Sequence, residues 1–180
     1  MKSRHLSRRP TEVPNVTGFV VLIPARMASV RLPDKPLADI GGQPMIVRVA
    51  QRAALSRARQ IAIAADDPRV IQACSDAGFQ ALATRTDHPS GSDRLAEVCE
   101  LLKLPDDTIV VNVQGDEPFT DKDSLEKLLN VFYQNDAENI DLASLKTRLN
   151  AHEDIINPNY VKVITDKNDF ALLGWGVPRA

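Results

Sequence analysis

Five consecutive apolar residues, Phe19-Val20-Val21-Leu22-Ile23, constrain the fold of this chain more than any other feature. A strand with one wet face alternates apolar and polar residues, so an unbroken run describes a strand buried on both faces and covered by helices. Similar runs recur at Ile61-Ala62-Ile63-Ala64 and at Thr108-Ile109-Val110-Val111-Asn112-Val113, the second being the strongest strand signal in the chain. Between the runs the apolar spacing switches to a helical period. Ile46, Val49, Ala50 and Ala53 form one stripe, Leu95, Val98, Leu101 and Leu102 another, and Leu125, Leu128, Leu129 and Phe132 a third, entered through Asp121. Asp67-Pro68 reads as a further helix start, and Ser90 or Ser92 is placed to cap the helix of the second stripe. Shorter strands are expected at Phe79 to Ala83, Leu142 to Thr147 and Val161 to Ile164. Strands alternating with helices predict an α/β sandwich with a largely parallel sheet, which binds ligands beyond the carboxyl ends of its strands.

With 180 residues and 43% hydrophobic content, the chain is long enough to bury one core. That core is expected from residue 19 to residue 180. Residues 1–18 carry Lys2, Arg4, Arg8 and Arg9 against Glu12, show no apolar period and are expected to form a disordered tail. A formal charge of -2 and 4% aromatics supply neither the basic face nor the stacking platform that nucleic acid requires. No apolar run approaches the roughly 20 residues of a membrane span, and the first residues lack the apolar core of a secretory signal, so a cytoplasmic location is expected. Cys74 and Cys99, without CxxC spacing or a nearby His, read as buried reduced thiols.

Directly after the first strand stands Pro24-Ala25-Arg26-Met27-Ala28-Ser29-Val30-Arg31-Leu32-Pro33-Asp34-Lys35-Pro36. Arginine presents a planar fork of donors and lysine a compact charge, so this loop can wrap a polyanion; it can equally be a solvated surface loop. Its place at a strand's carboxyl end tilts the reading toward a ligand. It is neither GxGxxG nor GxxxxGK[ST], which argues against a dinucleotide fold and a P-loop NTPase.

The pattern Pro-Ala-Arg-x-x-Ser-x-Arg-x-Pro-x-Lys-Pro, followed by Gly41-Gly42-Gln43-Pro44-Met45-Ile46, resembles the signature of CTP-using sugar nucleotidyltransferases, the CMP-KDO and CMP-sialate synthetases. Downstream, Ala65-Asp66-Asp67-Pro68-Arg69, Thr84-Arg85-Thr86-Asp87-His88-Pro89-Ser90-Gly91-Ser92-Asp93-Arg94, Asn112-Val113-Gln114-Gly115-Asp116-Glu117-Pro118 and Asn157-Pro158-Asn159-Tyr160-Val161-Lys162-Val163 are similar to the 3-deoxy-manno-octulosonate (KDO) branch. The resemblance implies a Rossmann-like α/β/α sandwich of the nucleotide-diphospho-sugar transferase type. It implies transfer of CMP from CTP to KDO with release of pyrophosphate, for lipopolysaccharide biosynthesis.

Carried onto matching positions, the resemblance assigns Arg26, Arg31 and Lys35 to the reacting triphosphate. Ala25, Ser29, Arg85, Ser90, Gly91, Ser92 and Gln114 would contact the nucleotide, and Asp116 would hold Mg²⁺. Small residues with free amides at Ser90-Gly91-Ser92 suit close approach of a pyrimidine base, with a plain helix cap as the alternative. Asp116 after a glycine fits a metal ligand or a turn residue, and Glu117 a group behind it. His88 reads as structural or positioning, because in-line phosphoryl chemistry needs placement and charge neutralisation more than a base.

Ser92 and Ala65 stand where the family usually has Thr. After Asp166 the chain departs from the family and ends at Ala180, which reads as a C-terminal truncation. In relatives that segment supplies a second metal carboxylate, most of the sugar-acid pocket and much of the dimer contact. The family dimer is therefore in doubt here, and two alternatives stand beside the synthetase: an inactive CTP-binding fragment, and a cytidylyltransferase for another sugar acid such as sialate.

Overall fold

The structure is a computed structural model that describes residues 18–27, 32–134, 141–146, 148, 157, 160–168 and 171–175. The expected tail lies outside these residues except for Gly18. The chain divides into two compact units, Met1–Ala137 and Glu138–Ala180.

The first unit runs β1 (Phe19–Ala25), a 3-10 turn (Lys35–Leu37), α1 (Met45–Ala53), β2 (Gln60–Ala65), α2 (Pro68–Asp76), β3 (Gln80–Ala83), α3 (Gly91–Leu101), β4 (Ile109–Asn112) and α4 (Lys122–Gln134). Its sheet has the order β3-β2-β1-β4, and every pairing is parallel. β1 is central, with Val21 opposite Ile61 on one side and Val111 on the other. Its unbroken apolar run is explained by its two faces. Phe19, Val21, Ile23 and Ala25 pack with Ile46, Val49, Val70, Cys74, Leu125 and Leu129, so α1, α2 and α4 cover that side. Val20 and Leu22 pack with Ala62, Ala64, Leu95 and Val98, so α3 covers the other. This is the α/β sandwich with a parallel sheet that the alternation predicts, in the three-layered form the resemblance implies. Each fully buried side chain such as Leu22, Ile23, Ile46 or Ile63 contributes about 1.5–3 kcal/mol relative to exposure.

Local chemistry sets the helix starts. The Asp67 side chain accepts from the Arg69 N–H at 2.8 Å with Pro68 in the first turn, and the Ser90 hydroxyl accepts from the Asp93 N–H at 3.2 Å. Ser90, not Ser92, is the cap. The apolar stripe of α3 is shorter than its spacing suggests, since Leu101 at the helix end is 52% exposed. Cys74 is fully buried and Cys99 partly so, both as free thiols; burial pushes the Cys74 thiol up to about 11.

The second unit contains β5 (Lys162–Thr165) paired antiparallel with β6 (Ala171–Trp175). The strand expected from Leu142 is not formed over the described residues 141–146, where Leu142 is 86% exposed. Apolar content alone gives no strand without a ladder to join. Thr147 lies outside the described residues. β6 corresponds to nothing expected from sequence.

Candidate functional site

In the first unit the chain leaves β1 and returns as β2 on one side of it, whereas β4 lies on the other. Strand order therefore reverses between β1 and β4, and the crevice beyond their carboxyl ends is where open α/β sheets bind ligands. The ladder continues past β4 through the Val113 N–H donating to the Leu22 carbonyl at 3.1 Å. Gly115 follows, and a Cβ there would lie 2.5 Å from the Pro24 carbonyl oxygen, so only glycine permits this approach. A Cβ on Gly91, at the start of α3, would also sit 3.4 Å from the Pro24 ring. Pro24 thus joins the end of β1, the loop after β4 and the start of α3.

These constraints bring Lys35 and Asp116, 81 residues apart in sequence, into an ion pair. Both are partly exposed, at 36% and 47% of their side chains, so they face solvent across the crevice. Asp34, immediately before Lys35, adopts a left-handed backbone (φ 52°) and accepts from Arg69 at 3.2 Å. Arg69 also pairs with Asp67 at 2.9 Å, and its hydrogen bonds hold the Asp67 carboxyl below the usual carboxylate range.

Ala25 is buried at the end of β1, and Arg26 beside it is exposed. Ser29 and Arg31 lie outside the described residues. Gln114 donates to Asn112 at 3.1 Å within the β4 loop. Glu117 shapes a turn there, its N–H donating to the Gln114 carbonyl at 3.1 Å. The Arg85 guanidinium is exposed, with Asp87 at 3.7 Å. Ser90 and Gly91 open α3 close to Pro24, and Ser92 is exposed in its first turn. His88 is buried against Glu97 (Nε2 to Oε2, 2.5 Å); with the Arg85 N–H at 3.1 Å it draws the Glu97 carboxyl below the ordinary range.

Among the described residues no three His, Cys, Asp or Glu side chains converge as a metal cage. A partly exposed carboxylate such as that of Asp116, beside Lys35, is a hard oxygen donor of the kind Mg²⁺ takes, an ion that keeps several waters and shares its ligands with phosphate oxygens. The donor chemistry of Asp116 fits that ion.

Sequence reasoning passed over one group. Arg94, 2% exposed, donates to Asp66 at 2.8 Å and to Thr84 at 2.6 Å, and the Met27 N–H donates to the same Asp66 carboxylate at 3.1 Å. Arginine is seldom buried, so nothing in its helical position distinguishes it from a solvated charge.

The sequence model of the family described as cytidylyltransferase matches residues 20–174, beyond Asp166 where the motif resemblance stops. The chain belongs to the cytidylyltransferase family. Two proteins named 3-deoxy-manno-octulosonate cytidylyltransferase, from Acidovorax sp. (strain JS42) and Acidovorax ebreus (strain TPSY), are each 53% identical to this chain over 156 residues. The match covers 85% of the chain and 58% of each relative's length. A solved CMP:2-keto-3-deoxy-manno-octonic acid synthetase, complexed with CTP, superposes with a TM-score of 0.75 at 36% identity, over 87% of this chain and 63% of that one. A Leptospira borgpetersenii cytidylyltransferase shares the fold, with a TM-score of 0.55 at 21% identity over 66% of this chain and 50% of that one.

Proposed function

We propose that this chain binds CTP with Mg²⁺ in the crevice beyond β1 and β4, as the nucleotide part of a KDO cytidylyltransferase. The observation that carries the reading is the Lys35–Asp116 pair at the reversal of strand order, within a chain 53% identical to proteins of that name. Arg26, Arg31 and Lys35 neutralise the triphosphate, which makes pyrophosphate a better leaving group. Ala25, Ser29, Arg85, Gln114 and the Ser90–Ser92 helix start hold the nucleotide, with the free amides of α3 turned to base recognition. Asp116 holds Mg²⁺, which supplies charge neutralisation to the phosphate oxygens when bound.

In the reaction a KDO hydroxyl oxygen forms a bond to the α-phosphorus of CTP. The bond from that phosphorus to the bridging oxygen breaks, and the hydroxyl proton passes to solvent. Placement and charge supply most of the rate. The product CMP-KDO serves lipopolysaccharide biosynthesis in the cytoplasm. Among the described residues no helix is long and apolar enough to cross a membrane.

A second reading is that the chain, in which the Lys35–Asp116 pair is formed, binds CTP without turnover. Pyrophosphate release with CTP, Mg²⁺ and KDO, run beside Asp116→Ala, tests both. Turnover that vanishes in the variant supports the synthetase; CTP binding without turnover in folded protein supports the second reading; turnover that persists in the variant overturns the role of Asp116. Replacing KDO by sialate in the same assay tests the related sugar acid, and turnover with sialate alone would overturn the KDO reading.

A further inference from the structure

Beneath the crevice lies a buried charged network that the reading above does not use. The Arg94 guanidinium donates through one nitrogen to Asp66 Oδ2 (2.8 Å) and through the other to Thr84 Oγ1 (2.6 Å). The second Asp66 oxygen accepts the Met27 N–H at 3.1 Å, and Thr84 passes its own hydroxyl proton bond to the Ala65 carbonyl at 3.1 Å. The Arg94 and Asp66 side chains are 3% and 9% exposed. A buried ion pair adds little net stability compared with well-packed apolar residues, because desolvation offsets the attraction; what it fixes is geometry.

The geometry here has a direction. Asp66 follows β2, Thr84 follows β3, Met27 follows β1 beside Arg26, and Arg94 stands in the first turns of α3 just after Ser90–Ser92. One guanidinium therefore ties the start of α3 to the loop that carries Arg26, through a single carboxylate. We propose that Asp66 and Arg94 are positioning residues that set the spacing between the base end and the phosphate end of a bound cytidine nucleotide. This rests on the CTP reading. Anchoring the Met27 amide fixes the backbone next to Arg26, so loss of the pair shifts the phosphate contacts relative to the base contacts at α3.

A purely structural pair and a positioning pair differ in one readout. Replacing both members by apolar residues, Asp66→Leu with Arg94→Met, removes both charges and is expected to retain the melting temperature. CMP and CTP affinities of the full chain are then measured by calorimetry with Mg²⁺. In the folded double variant the preference for CTP over CMP should fall on the order of tenfold, the size of one lost charge-assisted contact, while CMP affinity changes little. Asp66→Asn, nearly the same shape, should move the ratio in the same direction by less.

A folded variant with the wild-type ratio, or equal losses for both nucleotides, would overturn the inference. Failure of both variants to fold would also overturn it, by showing the pair to be structural. Wild-type chain with no affinity for either nucleotide would instead sink the CTP reading on which the inference stands.

Discussion

At the scale of single residues, the closest constraint is at Gly115, where an added Cβ meets the Pro24 carbonyl oxygen at 2.5 Å. Gly115→Ala must push the β4 loop away from β1, and overpacking of that kind costs about 1–3 kcal/mol. Chemical denaturation should show that loss together with weaker CTP binding, since Asp116 moves with its neighbour. A second residue-level expectation concerns acid. Glu97 titrates below the ordinary glutamate range because His88 hydrogen-bonds it in the folded state. Its folded value lies below its unfolded one, so its contribution is present above the ordinary range and is lost as pH falls from that range through the lowered folded value. The denaturation midpoint of Glu97→Gln should accordingly fall less steeply on acidification than that of the wild type. Much of this site was legible from types and order alone. Lys35 lies in the loop that follows the first apolar run and Asp116 stands just after the Thr108–Val113 run, and a cation and an anion beyond neighbouring strand ends have a reason to meet. Arg94 was not legible, because burial of an arginine depends on Asp66 and Thr84, which only the folded sheet brings beneath it.

At the scale of elements, sequence succeeded where an element's partners are encoded nearby and failed where they are not. The Phe19–Ile23 run, the stripe of α1 and the Asp67-Pro68 helix start all formed as expected, because each carries its own burial pattern or cap. The segment from Leu142 has strand-like composition but no ladder over its described residues, and β6 exists as the antiparallel partner of β5. Pairing is a relation between segments, which composition does not state. Two substitutions test what holds the elements. Ser90→Ala removes the α3 cap and should cost about 1 kcal/mol in thermal unfolding. Ile63→Ala, in the fully buried centre of β2, should cost about 2–5 kcal/mol, with the higher end expected if the flanking helices cannot collapse into the space.

At the scale of the whole molecule, a formal charge of -2 means that no general field draws a nucleotide in. Attraction comes from a few cations near the crevice and fades within roughly 8 Å at physiological salt. CTP affinity should fall as sodium chloride is raised, and Lys35→Ala should bind more weakly and respond less to salt in the same titration. The sheet order also has a temporal consequence. During synthesis β1, β2 and β3 can pair once the chain has passed Ala83, whereas β4 must wait for Asn112 and then dock beside β1, more than 80 positions upstream. Contacts of such separation close late in folding. The nascent protein therefore carries Lys35 beside a three-stranded sheet first, and acquires the carboxylate opposite it only when β4 arrives.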